Sequence, residues 1–332
     1  MHQRIAISSG DYNGIGIEVI LKTLDRRPLD DVTPIILGSA EVIDFYKDLL
    51  SIDIDYHHAV SEDQLEDRRV NVLESYGDET PSIKPGELTE LAGKCSMLAV
   101  EKGIALCNGG KADALVTAPI SKEAINRAGY HIPGHTEFLA DKTNTTDYMM
   151  LLVNDDLRVG LVTVHIPILK VADELSQARI LQNIDIMHDS LQQDFNLENP
   201  KIAVLGLNPH AGDGGVIGTE EIDIISPAIH EAQAKGQEAS GPHPADGFFG
   251  NQQYENYDGI LAMYHDQGLI PFKTLSFGAG VNFTAGLPFV RTSPDHGTAF
   301  DIAGKNRANP SSFDQAFTLA IQLMKNRNKE AI

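Results

Sequence analysis

The stretch from Lys201 to Glu221 reads KIAVLGLNPHAGDGGVIGTEE. Its opening run, Lys201 to Leu207, is apolar, rich in β-branched residues and of strand length, while Thr219 with Glu220 and Glu221 behind it has the composition of a capped helix start. Between them a glycine-dense loop permits close backbone approach and positive φ. Strand, glycine loop and helix make one βα unit. Outward from it the same alternation recurs. Arg4 to Ser8, Pro34 to Leu37, Ala114 to Thr117, Arg158 to Val164 and Gly259 to Tyr264 read as further strands. Leu88, Leu91, Cys95, Leu98, Ala99, Ala105 and Leu106 repeat at helical spacing up to Gly109-Gly110, and Leu175, Ala178, Leu181, Ile184, His188, Leu191 and Phe195 form a second such stripe. A last helix opens at Ser311 or Ser312 and carries Phe313, Phe317, Ala320, Ile321 and Met324 on one face. This alternation predicts an α/β fold around a largely parallel sheet.

With 332 residues, 42% of them hydrophobic, the chain can bury a large core, and chains of this length usually divide into two lobes with a cleft between them. No internal repeat, low-complexity tract or flexible linker marks a boundary. Residues 1–332 are therefore taken as one two-lobed catalytic unit, its lobes open to being discontinuous. The 26 Lys and Arg against 47 Asp and Glu give a net charge of −21, which argues against nucleic acid or an anionic membrane surface as partner. Any anion site must be local. No apolar run approaches the roughly 20 residues of a membrane span, and the opening MHQRIAISSG lacks a basic segment followed by a long apolar one, so a cytoplasmic protein is expected. Cys95 and Cys107 share one predicted helix about 18 Å apart along its axis, too far for a disulfide, and read as reduced core residues.

Three of the strands run into histidines: Val159 to Val164 into His165, Ile202 to Leu207 towards His210, and Ile260 to Tyr264 into His265. Ligands of open parallel sheets bind beyond the carboxyl ends of strands, so three such imidazoles can converge though distant in sequence. One histidine at a strand end is most simply a backbone cap or a packed loop residue; three together point to a divalent metal. Zinc is the first choice for imidazole ligands, with cobalt, manganese or magnesium open if carboxylates and water complete the shell, and Asp246 and Asp266 are the nearby carboxylates. His188 falls inside a helical stripe and reads as a packed residue, and His57, His58 and His230 as surface residues.

Anion sites need cations or backbone donors. The Gly10 to Gly16 loop lacks the spaced G-x-G-x-x-G fingerprint, so an ordinary Rossmann reading is unsupported. Lys273, Asn282 and Arg291 stand among glycines in an otherwise apolar segment just after the third histidine. That placement suggests a phosphate or carboxylate pocket, with solvated surface residues as the plain alternative. Gly134-His135-Thr136-Glu137 can donate to the same anion.

The motifs GDYNGIGIE (Gly10 to Glu18), PGHTEFLA (Pro133 to Ala140), HIP (from His165), GLNPHAGDGG (Gly206 to Gly215), GPHPAD (Gly241 to Asp246), AMYHDQG (Ala262 to Gly268) and GVNFTAGLPFVRTSPDHGTA (Gly280 to Ala299) occur in this order. In them the chain resembles the 4-hydroxythreonine-4-phosphate dehydrogenase family of pyridoxal phosphate biosynthesis over nearly its whole length. The resemblance implies an isocitrate/isopropylmalate dehydrogenase-like fold, two α/β lobes with the active site in the cleft, and a homodimer whose active sites lie at the subunit interface. It implies His165, His210 and His265 as metal ligands and His135, Thr136, Lys273, Asn282 and Arg291 as contacts to a small phosphorylated hydroxy acid. The segment His296 to Pro310 is similar to the adenosine-binding loop of isopropylmalate dehydrogenases, which implies His296, Ala299, Asp301 and Asn309 as coenzyme contacts, with Asp301 favouring NAD over NADP. The sequence departs from the family pattern at Tyr12, Asn13, Ile17, His243 and Ala279.

The implied reaction is NAD-dependent oxidation of 4-phosphooxy-L-threonine with decarboxylation to 3-amino-2-oxopropyl phosphate, assisted by one divalent ion per site. Asp246 is the first choice of general base, held by a Gly-Pro-x-Pro turn, and Asp266 the second. Relatives of the family act on phosphorylated threonate or erythronate. Phosphate acyltransferases share the fold type but have no need of three histidines, and a metal-storage protein has no need of the adenosine-like loop.

Overall fold

The computed structural model describes residues 3–29, 31–132, 134–154, 157–276, 278 and 280–330, with side chains to 327. Pro133 of the PGHTEFLA motif and Ala279 lie outside them. The chain forms two compact units, each made of two pieces: Met1–Asn144 with Leu287–Met324, and Thr145–Gly286 with Lys325–Ile332.

The first unit begins β1 (Gln3–Ser8), α1 (Gly16–Leu24), β2 (Val32–Gly38), α2 (Ala40–Leu50), β3 (Tyr56–Ala59), β4 (Val70–Glu74), α3 (Glu90–Asn108), β5 (Ala114–Thr117), α4 (Lys122–Arg127) and α5 (His135–Thr143). The second contains β6 (Met149–Val153), β7 (Arg158–Leu161), α6 (Val171–Glu174), α7 (Gln177–Gln193), β8 (Lys201–Leu205), α8 (Ser226–Ala234), β9 (Glu238–His243), α9 (Ala245–Gly250), β10 (Gly259–Ala262), α10 (His265–Ser276) and β11 (Val281–Ala285). The chain then returns to the first unit with β12 (Val290–Pro294) and enters α11 (Ser311–Glu330).

Strands of the first unit run β3-β4-β2-β1-β5-β12, every pairing parallel. All seven residues of β2 are buried, as expected of a parallel strand covered on both faces. Strands of the second run β11-β6-β7-β10-β8-β9, parallel from β7 to β9 and antiparallel at β11-β6 and β6-β7. The expected α/β architecture with a largely parallel sheet is what the chain adopts. The second unit's core packs Val159, Leu161, Ala203, Leu205, Ile260 and Ala262 against Phe248 and Phe272.

The two long helical stripes fold as α3 and α7, opened by Thr89 and Ser176, whose side chains accept from Ala92 N and Arg179 N at 3.2 Å. Cys95 and Cys107 are buried free thiols on α3. Burial pushes the Cys95 thiol up to about 12, which leaves it unreactive at neutral pH.

Three sequence expectations are corrected. The histidine-bearing strands end two or three residues early, at Leu161, Leu205 and Ala262; beyond β8 and β10 side chains accept in place of the ladder, Glu221 Oε1 from Leu207 N and Gln267 Oε1 from Met263 N. The Gly-Pro-x-Pro stretch is the end of strand β9 rather than a turn; β9 is last in its strand order, where proline's missing N–H costs no ladder bond. Thr219 supplies no side-chain cap: its carbonyl accepts from Ile222 N and Asp223 N, and the helix opens with a widened turn over Glu221–Ile225.

Candidate functional site

In the second unit the three histidines stand on segments that leave β7, β8 and β10. His165 is exposed, and its ring centroid lies 6.1 Å from that of His265. His265, the first residue of α10, is part-buried, and its Nδ1 is 2.7 Å from Asp266 Oδ1. This carboxylate–imidazole contact engages Nδ1 and leaves Nε2 as the ring nitrogen for a ligand, the division of roles that ligating histidines adopt. A pocket of about 490 Å³ opens beside the pair, lined by Thr163, His165, Ile168, Val171, Tyr264 and Asp266 among others.

His210 is exposed on a loop of unusual backbone: His210, Ala211, Gly212, Asp213, Gly214 and Gly215 all have positive φ. Such a run is costly for the residues with a Cβ and persists only where neighbours dictate it. The segment just before the run is anchored by Glu221, buried and turned inward. Its Oε1 accepts from Leu207 N and Asn208 N at 2.7 Å, and its Oε2 from Asn208 Nδ2 at 2.9 Å. Among the described residues no three His, Cys, Asp or Glu side chains stand grouped as a metal-binding set, so the structure brings His165 and His265 together and does not bring His210 to them. Asp246 is exposed in the first turn of α9, which packs against the Pro209–Gly215 segment.

The first unit holds a different kind of site. Arg291, on β12, is 1% exposed, and its Nη2 donates to Thr117 Oγ1 on β5 at 2.6 Å. Burial pushes its guanidinium down to about 9 and Glu137 opposes the shift, so the charge persists at neutral pH. His135 begins α5, and its Nε2 is buried with no hydrogen-bond partner. Burial, with the Arg291 and Lys122 cations nearby, holds the imidazole well below its usual range and therefore neutral. Thr136 is buried next to it. A cavity of about 140 Å³ is lined by Thr117, Lys122, Gly134, His135, Ser293 and His296. Lys122 is the cation that sequence reading missed; its position after Thr117-Ala-Pro-Ile at a strand end was the available signal. Of the other expected anion contacts, Lys273 is exposed near the end of α10, and Asn282 sits on β11 with its Oδ1 buried and unpartnered. Both belong to the second unit.

The expected coenzyme residues follow β12. His296 Nδ1 donates to the Gly297 carbonyl at 3.0 Å, leaving Nε2 buried without a partner. Ala299 has a φ of 43°, Asp301 is exposed, and Lys305 Nζ is held by the Asp301 main-chain carbonyl at 2.6 Å. Asn309 Oδ1 accepts from Ser311 N and Oγ, so this side chain orders the entry to α11. The Gly10 to Gly16 loop spends its groups within the protein: Asn13 accepts from Lys84 N and donates to Thr89 Oγ1, Ile15 N donates to the Thr298 carbonyl, and a Cβ at Gly14 would meet that carbonyl at 2.8 Å. Two of the departures thus have structural roles, since Tyr12 is fully buried and its carbonyl accepts from Tyr46 Oη at 2.7 Å. At a third, His243 Nε2 lies 3.1 Å from Ser240 Oγ and 3.3 Å from Tyr257 Oη.

Comparison with known proteins gives this geometry its context. Residues 30–320 match the family model described as pyridoxal phosphate biosynthetic protein PdxA. The chain belongs to the PdxA family. Among its PdxA relatives is the 4-hydroxythreonine-4-phosphate dehydrogenase of Bacteroides thetaiotaomicron, 45% identical over 98% of this chain and 90% of the relative. The D-threonate 4-phosphate dehydrogenase of Pectobacterium atrosepticum is 40% identical over 97% of this chain and all of the relative. The crystal structure of the Klebsiella pneumoniae 4-hydroxythreonine-4-phosphate dehydrogenase, 39% identical, superposes with a TM-score of 0.84 over 97% of this chain and 99% of that one.

Proposed function

We propose that this chain is an NAD-dependent dehydrogenase that oxidises 4-phosphooxy-L-threonine and releases carbon dioxide to give 3-amino-2-oxopropyl phosphate, a step of pyridoxal phosphate biosynthesis carried out in the cytoplasm. The observation that carries the reading is full-length membership of the PdxA family together with Arg291. Among the described residues Arg291 is the one buried Lys or Arg, in a chain whose net charge is −21. Its guanidinium is desolvated with the Glu137 carboxylate nearby, and its charge-assisted donors suit a phosphate or carboxylate ligand.

Two of the three expected donors stand where one divalent ion can join them, and His210 stands apart from them in this chain. His165 and His265 stand as neighbouring imidazoles, one of them oriented by a carboxylate, and metal–nitrogen bonds of about 2.1 Å allow one ion to lie between such a pair. In this reading His165, His210 and His265 hold zinc, cobalt, magnesium or manganese. When bound, that ion supplies Lewis acidity at the substrate's secondary hydroxyl and the nicotinamide supplies the hydride acceptor.

The protein's own groups bind, orient and move a proton. Arg291, His135, Thr136, Lys273 and Asn282 contact the phosphate and carboxylate ends of the substrate; His135, neutral, acts through hydrogen bonding alone. Asp266 is engaged with His265 Nδ1 and serves to orient it, so Asp246 takes the hydroxyl proton. His296, Ala299, Asp301 and Asn309 contact the coenzyme, with the Asp301 carboxylate facing the adenosine ribose.

The chain acts as a homodimer with active sites at the subunit interface. Six large apolar side chains of the second unit are exposed, and each follows one of the histidines by at most twelve residues: Ile168 and Leu169, Val216, Ile217 and Ile222, and Ile270. In this reading these side chains contribute to the association surface between the two copies. No helix of the described residues is long and apolar enough to cross a membrane.

The deciding experiment is coenzyme reduction against a panel of four-carbon acid phosphates, with and without chelation of divalent metal. We expect turnover of 4-phosphooxy-L-threonine that chelation abolishes and added metal restores. A preference for phosphorylated D-threonate would favour the second reading, which the Pectobacterium relative supports. No coenzyme reduction with any member of the panel would defeat both.

A further inference from the structure

The segments that lead to the three histidines are tied together through one buried side chain. Gln267, two residues beyond His265 on α10, is 9% exposed. Its Oε1 accepts from Met263 N at 2.7 Å, and its Nε2 donates to the Gly206 carbonyl at 2.6 Å. Met263 lies two residues before His265 and Gly206 four residues before His210. The third segment joins at the same place, because the Met263 carbonyl accepts from Thr163 N at 3.2 Å and Thr163 Oγ1 at 2.7 Å, two residues before His165. Gly206 N closes the set by donating to the His243 carbonyl at 2.8 Å.

We infer that Gln267 is a positioning residue for the histidine site: it fixes the mutual placement of the β8 and β10 ends and, through Met263 and Thr163, that of β7. The inference rests on the reading of His165, His210 and His265 as ligands of a divalent ion. A primary amide is suited to this place because it offers an acceptor to one backbone N–H and a donor to one backbone C=O at once. Methionine, of similar length, would leave both backbone groups buried and unbonded. Glutamate keeps the acceptor for Met263 N but turns a second oxygen on the Gly206 carbonyl. Both changes allow the β8 end to shift against the β10 end, and the imidazoles at their tips shift with them.

The alternative is that Gln267 stabilises the fold without governing the site, and a matched control separates the two. Asn71 is a fully buried amide of the first unit that accepts from Glu66 N and donates to the Glu66 and Arg69 carbonyls, far in sequence from His165, His210 and His265. Metal-stripped full-length wild type, Gln267→Met, Gln267→Glu and Asn71→Ala would be titrated with cobalt(II), reading both the visible absorption of the bound ion and the calorimetric Kd, alongside each protein's Tm. We expect the Gln267 variants to bind cobalt about 10- to 100-fold more weakly with an altered spectrum, as loss of groups that orient ligands does. Asn71→Ala should lower Tm with cobalt affinity unchanged. Wild-type affinity and spectrum in a folded Gln267→Glu protein would overturn the inference, as would a loss of affinity equal to that of Asn71→Ala. A wild type that binds no stoichiometric cobalt would instead remove the histidine reading itself.

Discussion

The first unit buries its charge, whereas the second exposes its reactive groups and buries what holds them. Arg291 and His135 are removed from water, and the pKa values of both are shifted by burial before any other cause. His165 and His210 are exposed, and beneath them lie Thr163, Gln267 and Glu221, whose hydrogen bonds are spent on backbone. An anion contact gains strength from desolvation, because Coulomb attraction grows as the local dielectric falls. A metal ligand needs an open nitrogen and a fixed direction, so rigidity is delegated to the layer below. Substitutions should therefore separate stability from activity in one unit and couple them in the other.

The sharpest test of that contrast is His210→Ala, expected to lower kcat by more than about a hundredfold through loss of a metal ligand while leaving Tm within a degree or two, since the side chain is exposed. Near-normal turnover with stoichiometric metal would break the assignment. Arg291→Ala should do both kinds of damage: it removes a buried charge-assisted hydrogen bond, worth about 1.5–3 kcal/mol, and should lower kcat/KM for phosphorylated substrate about 10- to 100-fold. An unchanged KM, measured by steady-state kinetics, would place the anion pocket elsewhere.

Asp11 offers a purely energetic test of buried charge in the first unit. Its side chain is fully buried, with Oδ1 accepting from Asn13 N, and burial pushes its carboxyl up to about 6. A carboxylate with a folded pKa above its unfolded value of 3.8 favours the folded state only while protonated. The cost therefore grows as pH rises from about 4 through 6 and is complete above it. Asp11→Asn keeps the acceptor for Asn13 N, so it should raise stability by about 1–3 kcal/mol at pH 7.5 and by little at pH 4.5. Denaturant melts at the two pH values would show this, and an equal or negative effect at both would contradict it. His135, with its pKa lowered, acts in the other sense: the folded state loses stability as pH falls below about 6.5, where only the unfolded chain takes up the proton readily.

The smallest effect concerns an exposed charge. Asp301 should favour NAD over NADP about tenfold, since a carboxylate near the ribose repels a 2′-phosphate, and Lys305 is occupied by the Asp301 carbonyl. Asp301→Lys should reduce or reverse the preference, read as the ratio of kcat/KM for the two coenzymes. An unaltered ratio would remove Asp301 from the coenzyme site.

Legibility in the sequence followed the same division. The long stripes of α3 and α7 and the strands leading to the histidines were readable because periodicity and β-branched runs report burial directly. Strands β6, β9, β11 and β12 were not: Met149–Val153 has one β-branched residue, β9 contains Gly241-Pro242, and β11 and β12 are five-residue runs set apart only by the short Gly286-Leu287-Pro288-Phe289 link. Arg291 and Thr117 met as predicted cation and predicted strand end, but their bond depends on a β5–β12 pairing that no local pattern encodes. Glu221 was read only as part of a helix's first turn and is an inward-turned anchor. A buried acid bonded to loop N–H groups leaves no periodic trace.

The pairing of β5 with β12 also bears on how the chain is made. Thr117 and Val290 are separated by the whole contiguous stretch of the second unit, so during synthesis β5 leaves the ribosome with one edge unpaired. At about 5–20 residues per second, β12 follows roughly 9–35 s later, long enough for the Thr145–Gly286 piece of the second unit to fold first. The strand that arrives last carries Arg291, and the nascent anion pocket stays without its guanidinium until translation is nearly over. Slowing elongation between these strands should lengthen the exposure of the β5 edge and increase recruitment of chaperones to the emerging chain.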